Sequence, residues 1–375
     1  MKKEVQTNIA VKQINRKRVF DLLYHEGPLT KMDVMQRLNM SLPTVIQDIR
    51  ELLSQDLIRE SGYLPSSGGR KAVMLSCNPS AKYSIGLDVT KEHISIVIVD
   101  LTGQAIYSDG IDISFSNTDA YFQRAGELVQ RALEMQEIPA ERVLGVGIAV
   151  PAIVSPDMRH IDYATVVDFS GGKSSVFEKY IPFKCMLCND SNAGGIAEMW
   201  MNTSIKNAFY ISVSNSVGGA FLIDHNIFPG ENQRCAEVGH MTIVPDGQRC
   251  YCGEYGCMDA YCNTRILSES ANKSLSGFFS LLRQGSSEHR QLWTRYLNYL
   301  SIAINNLHML FDCNVIIGGY LGAYIGDYMD ELKQLVASRN TFKKSSNYLQ
   351  VCRYKGEAAA VGAALLHLKA FLDQI

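Results

Sequence analysis

Apolar side chains in about the first 60 residues recur every three or four positions, the period of an α-helix with one buried face. The pattern predicts a helix over residues 15–26, before a Gly-Pro pair, and a second over residues 31–38 with Thr30 as N-cap. A third helix is predicted to begin after Ser41. The side chains expected to share one core are Ile14, Val19, Leu22, Leu23, Met32, Val34, Met35, Leu38, Val45, Ile46, Ile49, Leu52 and Leu53. Two short helices joined by a tight turn indicate a helix-turn-helix unit.

The outward face of the third predicted helix carries small and polar side chains, as does a helix that reads the DNA major groove. The candidate DNA contacts on this face are Ser41, Pro43, Thr44, Gln47, Asp48 and Arg50. Residues 66–69 read Ser-Ser-Gly-Gly and lead into Arg70, Lys71 and an apolar segment at residues 72–75. This order predicts a two-stranded wing with a basic tip that contacts phosphate or the minor groove. A three-helix domain followed by a linker is the simpler alternative.

Charge is unevenly distributed along the chain. The net charge is −2, but residues 1–82 carry 13 Lys and Arg against 8 Asp and Glu, and the remainder carries 23 against 30. A basic unit joined to an acidic body is typical of a DNA-binding module attached to a domain that binds small molecules.

Composition indicates a cytoplasmic protein. Apolar residues make up 46% and charged residues 20% of the chain, and neither an apolar run of membrane-spanning length nor a signal-peptide pattern is present. The 10 cysteines therefore favour a reducing compartment, where clustered thiols bind metal more often than they form disulfides.

Beyond residue 82 the pattern changes to strands that alternate with helices, which predicts an α/β class. Strands are predicted at residues 83–89, 94–100, 143–150, 185–188, 207–213 and 219–223, and helices at residues 117–136, 262–284, 288–310 and 321–337. Two such halves with a cleft between them fit the alternation. We expect a DNA-binding domain with linker at residues 1–80, a first lobe at residues 81–188, and a second lobe at residues 189–375. The C-terminal helix is expected to return to the first lobe.

One histidine and three cysteines follow the spacing H-x9-C-x-C-x4-C. These candidate metal ligands are His240, Cys250, Cys252 and Cys257. Glycines between them let a short loop fold back, so the four side chains can surround a structural zinc ion. Cys235 and Cys262 are close enough in sequence to substitute as ligands, and the other cysteines are expected to be buried small apolar residues. The loop would hold the flanking Glu237 and Asp259 near one another.

The residues around this motif resemble the ROK family of repressors, open reading frames and sugar kinases, and the resemblance covers almost the whole chain. Residues 237–257 are similar to the Glu-Val-Gly-His plus Cys-x-Cys-Gly-x-x-Gly-Cys stretch of the family, and residues 188–193 resemble its Asn-Asp substrate motif. Residues 316–319 resemble its adenosine-side glycine turn, and residues 356–364 its C-terminal Gly/Ala helix. The Ser-Gly-Gly-Arg at residues 67–70, after a helix-turn-helix, resembles the repressor branch, which includes xylose and N-acetylglucosamine repressors.

The resemblance implies a two-lobed, actin-like ATPase (ribonuclease-H-like) body with a sugar in the cleft between the lobes, preceded by a winged helix that binds DNA. It also implies that the sugar hydroxyls are contacted by Asn189, Asp190, Glu237, His240 and Asp259. His240 would have two roles, because an imidazole that binds zinc through one nitrogen keeps the other for a second partner. The family usually has glutamate at the Asp259 position, so this contact is one methylene shorter here. In the kinases the Asp190 position is the general base that takes the proton of the attacking sugar hydroxyl.

Both phosphate loops of the kinases are altered in this chain. Where the kinases carry Asp-x-Gly-Gly-Thr, residues 88–92 read Asp-Val-Thr-Lys-Glu; where they carry Gly-Thr-Gly-x-Gly-Gly-Gly, residues 214–220 read Ser-Asn-Ser-Val-Gly-Gly-Ala. Because phosphates need a close backbone approach, we expect no sugar kinase activity. Residues 151–154 also replace the family's Pro-Gly-x-Val with Pro-Ala-Ile-Val, and no Asn-x-x-Trp follows within residues 155–175, which indicates an unusual effector.

The expected function is therefore a sugar-responsive transcriptional regulator, most simply a repressor, that binds palindromic operator DNA as a homodimer or tetramer. An ATP-dependent sugar kinase that carries a DNA-binding module and a zinc-responsive regulator are the alternatives. The effector would bias closure of the two lobes, and it could be a sugar, a phosphosugar or a partner protein. The sequence leaves open whether the effector releases or promotes DNA binding.

Overall fold

The structure, a computed structural model, describes residues 8–64, 71–342 and 345–375. The helices are α1 (Asn8–Glu26), α2 (Lys31–Leu38), α3 (Leu42–Ser54), α4 (Asp119–Met135), α5 (Ser175–Glu178), α6 (Asp190–Trp200), α7 (Asp259–Cys262), α8 (Arg265–Glu269), α9 (Leu275–Arg283), α10 (Ser287–Phe311), α11 (Met329–Arg339) and α12 (Ala358–Leu372). The strands are β1 (Leu29–Thr30), β2 (Ile58–Tyr63), β3 (Val73–Cys77), β4 (Tyr83–Val89), β5 (His93–Asp100), β6 (Ala105–Asp112), β7 (Val143–Val150), β8 (Ile153–Val154), β9 (Ile161–Tyr163), β10 (Cys185–Asn189), β11 (Ala208–Val213), β12 (Val217–Ile223), β13 (Asn226–Ile227), β14 (Asn314–Gly318) and β15 (Leu349–Val351).

The N-terminal unit is a winged helix-turn-helix. Helices α1, α2 and α3 pack on an antiparallel sheet of order β1-β3-β2. The predicted N-cap of α2 is present as a capping box: the Thr30 hydroxyl accepts a hydrogen bond from the Asp33 amide at 3.2 Å, and the Thr30 amide donates to the Asp33 carboxylate at 2.8 Å. Asn39 ends α2 in the left-handed conformation and directs the chain into α3.

The core of this unit differs from the predicted one at three positions. Ile14 and Met32, expected inside, are 46% and 50% exposed, whereas Asp48, expected on the DNA-facing side of α3, is only 4% exposed. Asp48 faces α1, where the charges of Arg16 and Lys12 oppose the rise in its pKa that burial causes. For Asp48 the reason is that α3 packs against α1 along positions that the pattern reads as polar, so its buried face is wider than its apolar stripe.

The first lobe is built on a five-stranded sheet of order β10-β7-β4-β5-β6. Strands β4, β7 and β10 are parallel to one another, while β4, β5 and β6 form an antiparallel meander. The predicted strands at residues 83–89, 94–100 and 143–150 correspond to β4, β5 and β7. The middle strands are nearly continuous runs of buried apolar residues because the sheet is covered on both faces, by α4 on one and α12 on the other.

Helix α12 packs closely against the first-lobe sheet at two glycines. A Cβ atom at Gly86 would collide with the Ala360 carbonyl oxygen, and one at Gly147 would collide with the Ala363 carbonyl oxygen. On its other side α12 touches α6, where a Cβ atom at Gly362 would collide with the Ala193 carbonyl oxygen. The Gly/Ala-rich C-terminal segment therefore joins the first-lobe sheet to α6.

The second lobe has a five-stranded sheet of order β13-β12-β11-β14-β15, with α6 on one face and α7 to α11 on the other. Helices α6 and α12 thus lie between the two lobes of the α/β body. The single helix predicted at residues 262–284 is wrong, because the chain forms α7, α8 and α9 there. Among the described helices, none combines the length and apolar character needed to cross a bilayer.

Candidate functional site

A cavity of about 500 Å³ opens between the two lobes. Its walls come from the loop after β7, the β8–β9 hairpin, the start of α6, the β11–β12 turn and the loop that precedes the metal ligands. Its lining residues are Pro151, Ala152, Ile153, Tyr163, Ala164, Thr165, Val166, Asn189, Asp190, Ser191, Ser212, Ser214, Ser216, Val217, Gly218, Gly219, Arg234, Glu237, His240 and Tyr251. Four of the five predicted sugar contacts, Asn189, Asp190, Glu237 and His240, therefore line one cavity.

Asn189 and Asp190 reach the cavity because β10 ends and α6 begins there. The Asn189 side chain caps α6 by accepting the Asn192 amide at 2.9 Å, and it donates to the Ala152 carbonyl at 3.2 Å. The Asp190 carboxylate accepts the Ser191 amide at 2.7 Å. A carboxylate at the carboxyl edge of a parallel strand, near a helix N-terminus, is well placed to accept hydrogen bonds from a bound polyol.

Asp190 shares this edge of the sheet with a second buried carboxyl group, Asp88, at the end of β4. Burial raises the pKa of Asp88 to about 7, with the negative charge of Asp190 as the second cause. Burial likewise raises the pKa of Asp190 to about 6, while the hydrogen bonds from Ser191 act in the opposite direction. Burial and then the same two carboxylates raise the pKa of Tyr320, whose hydroxyl comes from the second lobe. Two carboxyl groups at one edge of a sheet, both with raised pKa values, are the kind of pair found at functional sites.

Glu237 and His240 stand on a short 3₁₀ turn beside the cavity. The turn packs so closely on β12 that a Cβ atom at Gly239 would collide with the Val217 carbonyl oxygen, which explains the glycine in this motif. Glu237 is exposed overall, although it lines the cavity. Burial of its carboxyl group is the main cause that raises its pKa, and the charge of Asp190 is the second.

Asp259 is not among the described residues that line the cavity. It is buried at the start of α7, where its carboxylate accepts the Val217 amide at 2.6 Å and the Asn263 side-chain amide at 3.2 Å. Its predicted contact with a sugar hydroxyl stays a prediction. What the structure shows is that Asp259 holds the turn between β11 and β12.

The predicted metal ligands come together as a cluster. The ligand atoms of His240, Cys250, Cys252 and Cys257 all lie within 4.8 Å of one another. The Cys252 and Cys257 sulfurs are 3.8 Å apart, and the Cys250 sulfur is 3.9 Å from Nδ1 of His240. Zinc–sulfur bonds of about 2.3 Å in a tetrahedron place two sulfurs roughly 3.8 Å apart, so the cluster fits this ion. Neither Cys235 nor Cys262 joins it, and Cys262 is fully buried in the second-lobe core.

His240 presents its two ring nitrogens to different partners. Nδ1 faces the cysteines, whereas Nε2 lies 3.3 Å from the hydroxyl of Tyr251 at the cavity. Among the cavity residues that sequence reasoning missed are Tyr163 on the β8–β9 hairpin, Arg234 and Tyr251. The position of Tyr251 between two metal ligands was a signal that it would stay close to His240. The other two are brought to the cavity only by the fold.

In the two turns that correspond to the predicted phosphate loops, several backbone amides already have hydrogen-bond partners within the protein. In the β4–β5 turn, the Thr90 hydroxyl accepts the amides of Glu92 and His93 at 3.3 and 3.1 Å. In the β11–β12 turn, the Val217 amide donates to Asp259, and the Ser214 amide donates to the Ser216 carbonyl at 3.0 Å. Backbone amides that are already paired are poor donors for a phosphate.

Apart from the buried Asp48, the predicted DNA-contacting residues of α3 stand on the outside of the N-terminal unit. Ser41, Pro43, Gln47 and Arg50 are exposed, and Thr44 is partly exposed. The Ser41 hydroxyl caps α3 by accepting the Thr44 amide at 3.4 Å, and the Gln47 side chain donates to Glu51 at 3.2 Å. Lys71 is exposed at the base of the wing, whereas Arg70 and residues 66–69 lie outside the described residues. No described contact tests these DNA assignments.

A winged helix joined to two actin-like lobes, with a His-Cys cluster at the cleft, defines a class of transcriptional regulators built on a sugar-kinase fold. A model of the ROK family matches residues 84–370. The chain belongs to the ROK family, in its transcriptional-regulator branch.

Two relatives extend over nearly the whole chain. The xylose repressor of Bacillus subtilis (strain 168) is 24% identical over 381 residues, which cover 97% of each protein. The crystal structure of a ROK family transcriptional regulator, a homologue of the E. coli MLC protein, has a TM-score of 0.77 at 20% identity and also covers 97% of each chain.

A kinase of the same fold aligns with less of the chain. The ROK family glucokinase from Streptomyces griseus, in complex with glucose and AMPPNP, has a TM-score of 0.63 at 19% identity. The match covers 98% of the glucokinase but only 76% of this chain.

Proposed function

We propose that this protein is a cytoplasmic, sugar-responsive repressor that binds operator DNA as a homodimer and has no kinase activity. The observation that carries the proposal is the direct connection of a carboxylate-lined cavity to a winged helix. Helix α6 begins at Asp190 in the cavity wall, α12 packs on α6, and the end of α12 touches α1 of the DNA-binding unit. The Lys17 ammonium of α1 donates to the Leu372 carbonyl at 2.8 Å, and the Arg16 guanidinium donates to the Ile375 carbonyl at 3.3 Å.

The cavity supports a sugar as the effector. Its wall combines Asn189, Asp190, Glu237 and the Nε2 atom of His240, which together offer both acceptors and donors to neighbouring hydroxyls. The exposed rings of Tyr163 and Tyr251 can cover the apolar face of a pyranose. Arg234 also lines the cavity. Its guanidinium could bind the phosphate group of a phosphosugar effector.

A sugar kinase with a DNA module is the second candidate, because Asp190 keeps the position of a general base. The paired amides of both altered loops favour the repressor. A phosphate bound at the β4–β5 turn would have to displace the Thr90 hydroxyl from Glu92 and His93, and one at Val217 would have to displace the buried Asp259 carboxylate. Losing these internal bonds would oppose binding of a triphosphate.

We propose a structural zinc ion at His240, Cys250, Cys252 and Cys257. When bound, the ion would link the loop that carries the three cysteines to the 3₁₀ turn that carries His240 and follows Glu237. It would thereby fix the Nε2 atom of His240 towards the cavity. The zinc-responsive alternative has less support, because a set of three cysteines and one histidine leaves no open position for exchange.

The dimer follows from the geometry of DNA recognition, since one winged helix contacts one half-site. An effector that binds the closed lobes more tightly than the open lobes would move α6 and α12 and so change the separation of two DNA-binding units. Shifting such an equilibrium from 1:99 to 99:1 needs a difference in binding of about 5 kcal/mol between the two states.

The proposal is tested with the full-length protein and its own upstream DNA in a fluorescence anisotropy titration. A panel of pyranoses and their 6-phosphates is added at fixed DNA concentration, and the molar mass of the protein is measured by light scattering. We expect a dimer, DNA binding, and a change in DNA affinity with at least one panel member. Glu237→Gln should remove the response while DNA binding persists. Sugar-dependent ATP consumption at a rate near the median of enzymes, about 10 per second, would refute the non-catalytic assignment.

A further inference from the structure

A second cavity adjoins the proposed sugar site. Its volume is about 270 Å³, and it shares four wall residues with the larger cavity: Ile153, Asn189, Gly219 and Glu237. These four residues form the boundary between the two cavities, so a ligand seated against Asn189 and Glu237 lies directly beside the second cavity. We call this second cavity the side chamber.

The side chamber is mainly apolar beyond that boundary. Its apolar lining residues are Ile153, Val154, Pro156, Met158, Leu187, Cys188, Ile196, Ile227, Pro229, Cys235 and Leu366. The Ser155 hydroxyl at its wall is already used, because it donates to Asp157 at 2.6 Å and accepts the His160 amide at 3.1 Å. Beyond the boundary and apart from Ser155, the polar side chains among the described lining residues are those of Asn192 and Gln233. Such a lining suits a hydrophobic group that is attached to a polar one.

We infer that the effector is a glycoside whose sugar ring binds in the inter-lobe cavity and whose apolar aglycone, about the size of a phenyl ring, enters the side chamber. The size of the chamber supports this class, since an apolar cavity of about 150 Å³ in another protein accepts a benzene molecule. A free monosaccharide would leave the chamber without an apolar occupant. The inference rests on the proposed sugar-binding function of the cleft and adds the class of ligand.

The position of the side chamber would give the aglycone a direct effect on the regulatory helices. Ile196 belongs to α6 and Leu366 to α12, and both also line a cavity of about 930 Å³ that is walled on its far side by α1 of the DNA-binding unit. A ring in the side chamber would therefore contact both helices that connect the sugar site to α1. Two discrete arrangements of packed helices are the usual carriers of such coupling.

The test is a calorimetric titration of the full-length protein with matched pairs of methyl and phenyl glycosides. The pairs are the α and β anomers of glucose, galactose, mannose and xylose. Burial of a phenyl ring is worth about tenfold to hundredfold in affinity. We expect the phenyl member of at least one pair to bind at least about tenfold more tightly than its methyl partner.

Variants that fill the side chamber make the test specific. Cys235→Phe and Ile227→Phe each place a ring in the chamber from a different element, whereas Ile223→Phe adds the same ring at the exposed end of β12. The ratio of phenyl to methyl affinity should fall towards one in the first two variants and stay unchanged in the third. A general loss of folding would lower both affinities but leave the ratio of phenyl to methyl affinity unchanged. Thermal melts identify a variant that has lost its fold.

Three results would overturn the inference. The first is equal affinity of methyl and phenyl members in every pair that binds, and the second is a phenyl advantage that persists in both folded chamber-filling variants. In either case, methyl glycosides that still change DNA affinity would leave the proposed function intact. The third is no binding by any glycoside at millimolar concentration, which would overturn both the chamber assignment and the sugar site.

Discussion

Replacement of Asp88 by asparagine should stabilise the protein at neutral and alkaline pH. The pKa of Asp88 is raised by burial, and secondly by Asp190, from 3.8 to about 7. An acid with a raised folded-state pKa folds preferentially in its protonated form. Below pH 3.8, the pKa of the unfolded chain, Asp88 is protonated in both states and does not destabilise the fold. The destabilisation grows as the pH rises from 3.8 to about 7. A difference of about three pKa units corresponds to roughly 4 kcal/mol at alkaline pH.

The pH dependence separates this electrostatic cost from the other effects of the substitution. Linkage predicts that the difference in free energy of unfolding between Asp88→Asn and the wild type grows by about 2 kcal/mol from pH 5.5 to pH 8. Any pH-independent change in hydrogen bonding or packing cancels in this comparison. The measurement is urea unfolding of both proteins at four pH values within that window. Because Asp190 is the second cause of the raised pKa, the same comparison made in an Asp190→Asn background should show a smaller growth of this difference with pH.

The matched control is Asp224→Asn, at an exposed residue in the β12–β13 turn whose left-handed backbone asparagine also tolerates. It should leave the free energy of unfolding within about 0.5 kcal/mol of the wild type at every pH. A difference between Asp88→Asn and the wild type that stays constant across the same pH range would refute the reasoning. It would mean that Asp88 is ionised in the folded protein at little cost.

Two further predictions concern the metal and the DNA. Removal of zinc by a chelator, or the substitution Cys252→Ser, should lower the zinc content below one per chain. The melting temperature should fall as well, because metal-binding free energy contributes to folding. A protein purified with no zinc, or a variant with unchanged zinc content and melting temperature, would contradict this prediction. Gln47→Ala and Arg50→Ala should each weaken operator binding by about 1–3 kcal/mol in an anisotropy titration. Lys31→Ala, a change at an exposed residue of α2, serves as the control, and equal affinity of all three variants would contradict the assignment of α3 as the recognition helix.

Features that depend on neighbours in sequence could be predicted from the chain alone. The capping box of Thr30, the start of α3 after Ser41 and the spacing of the four metal ligands are local, because each is set within a few residues of backbone. The alternation of apolar runs similarly gave β4, β5 and β7 at the predicted positions. Short elements with weak patterns, such as β8, β9 and the three helices α7 to α9, could not be found this way, because packing determines where they begin and end.

The sequence by itself determined the family, the winged helix-turn-helix, the spacing of the His-Cys cluster and the carboxylates of the cleft. The tertiary structure alone decided that Asp48 is buried against α1, that Asp259 holds the Val217 amide, and that the charge of Asp190 acts on Asp88. It also placed α6 and α12 between the lobes and formed the side chamber beside the inter-lobe cavity. The physical reason is distance along the chain: these contacts join residues far apart in sequence, so they depend on strand order and helix packing, which no local pattern encodes.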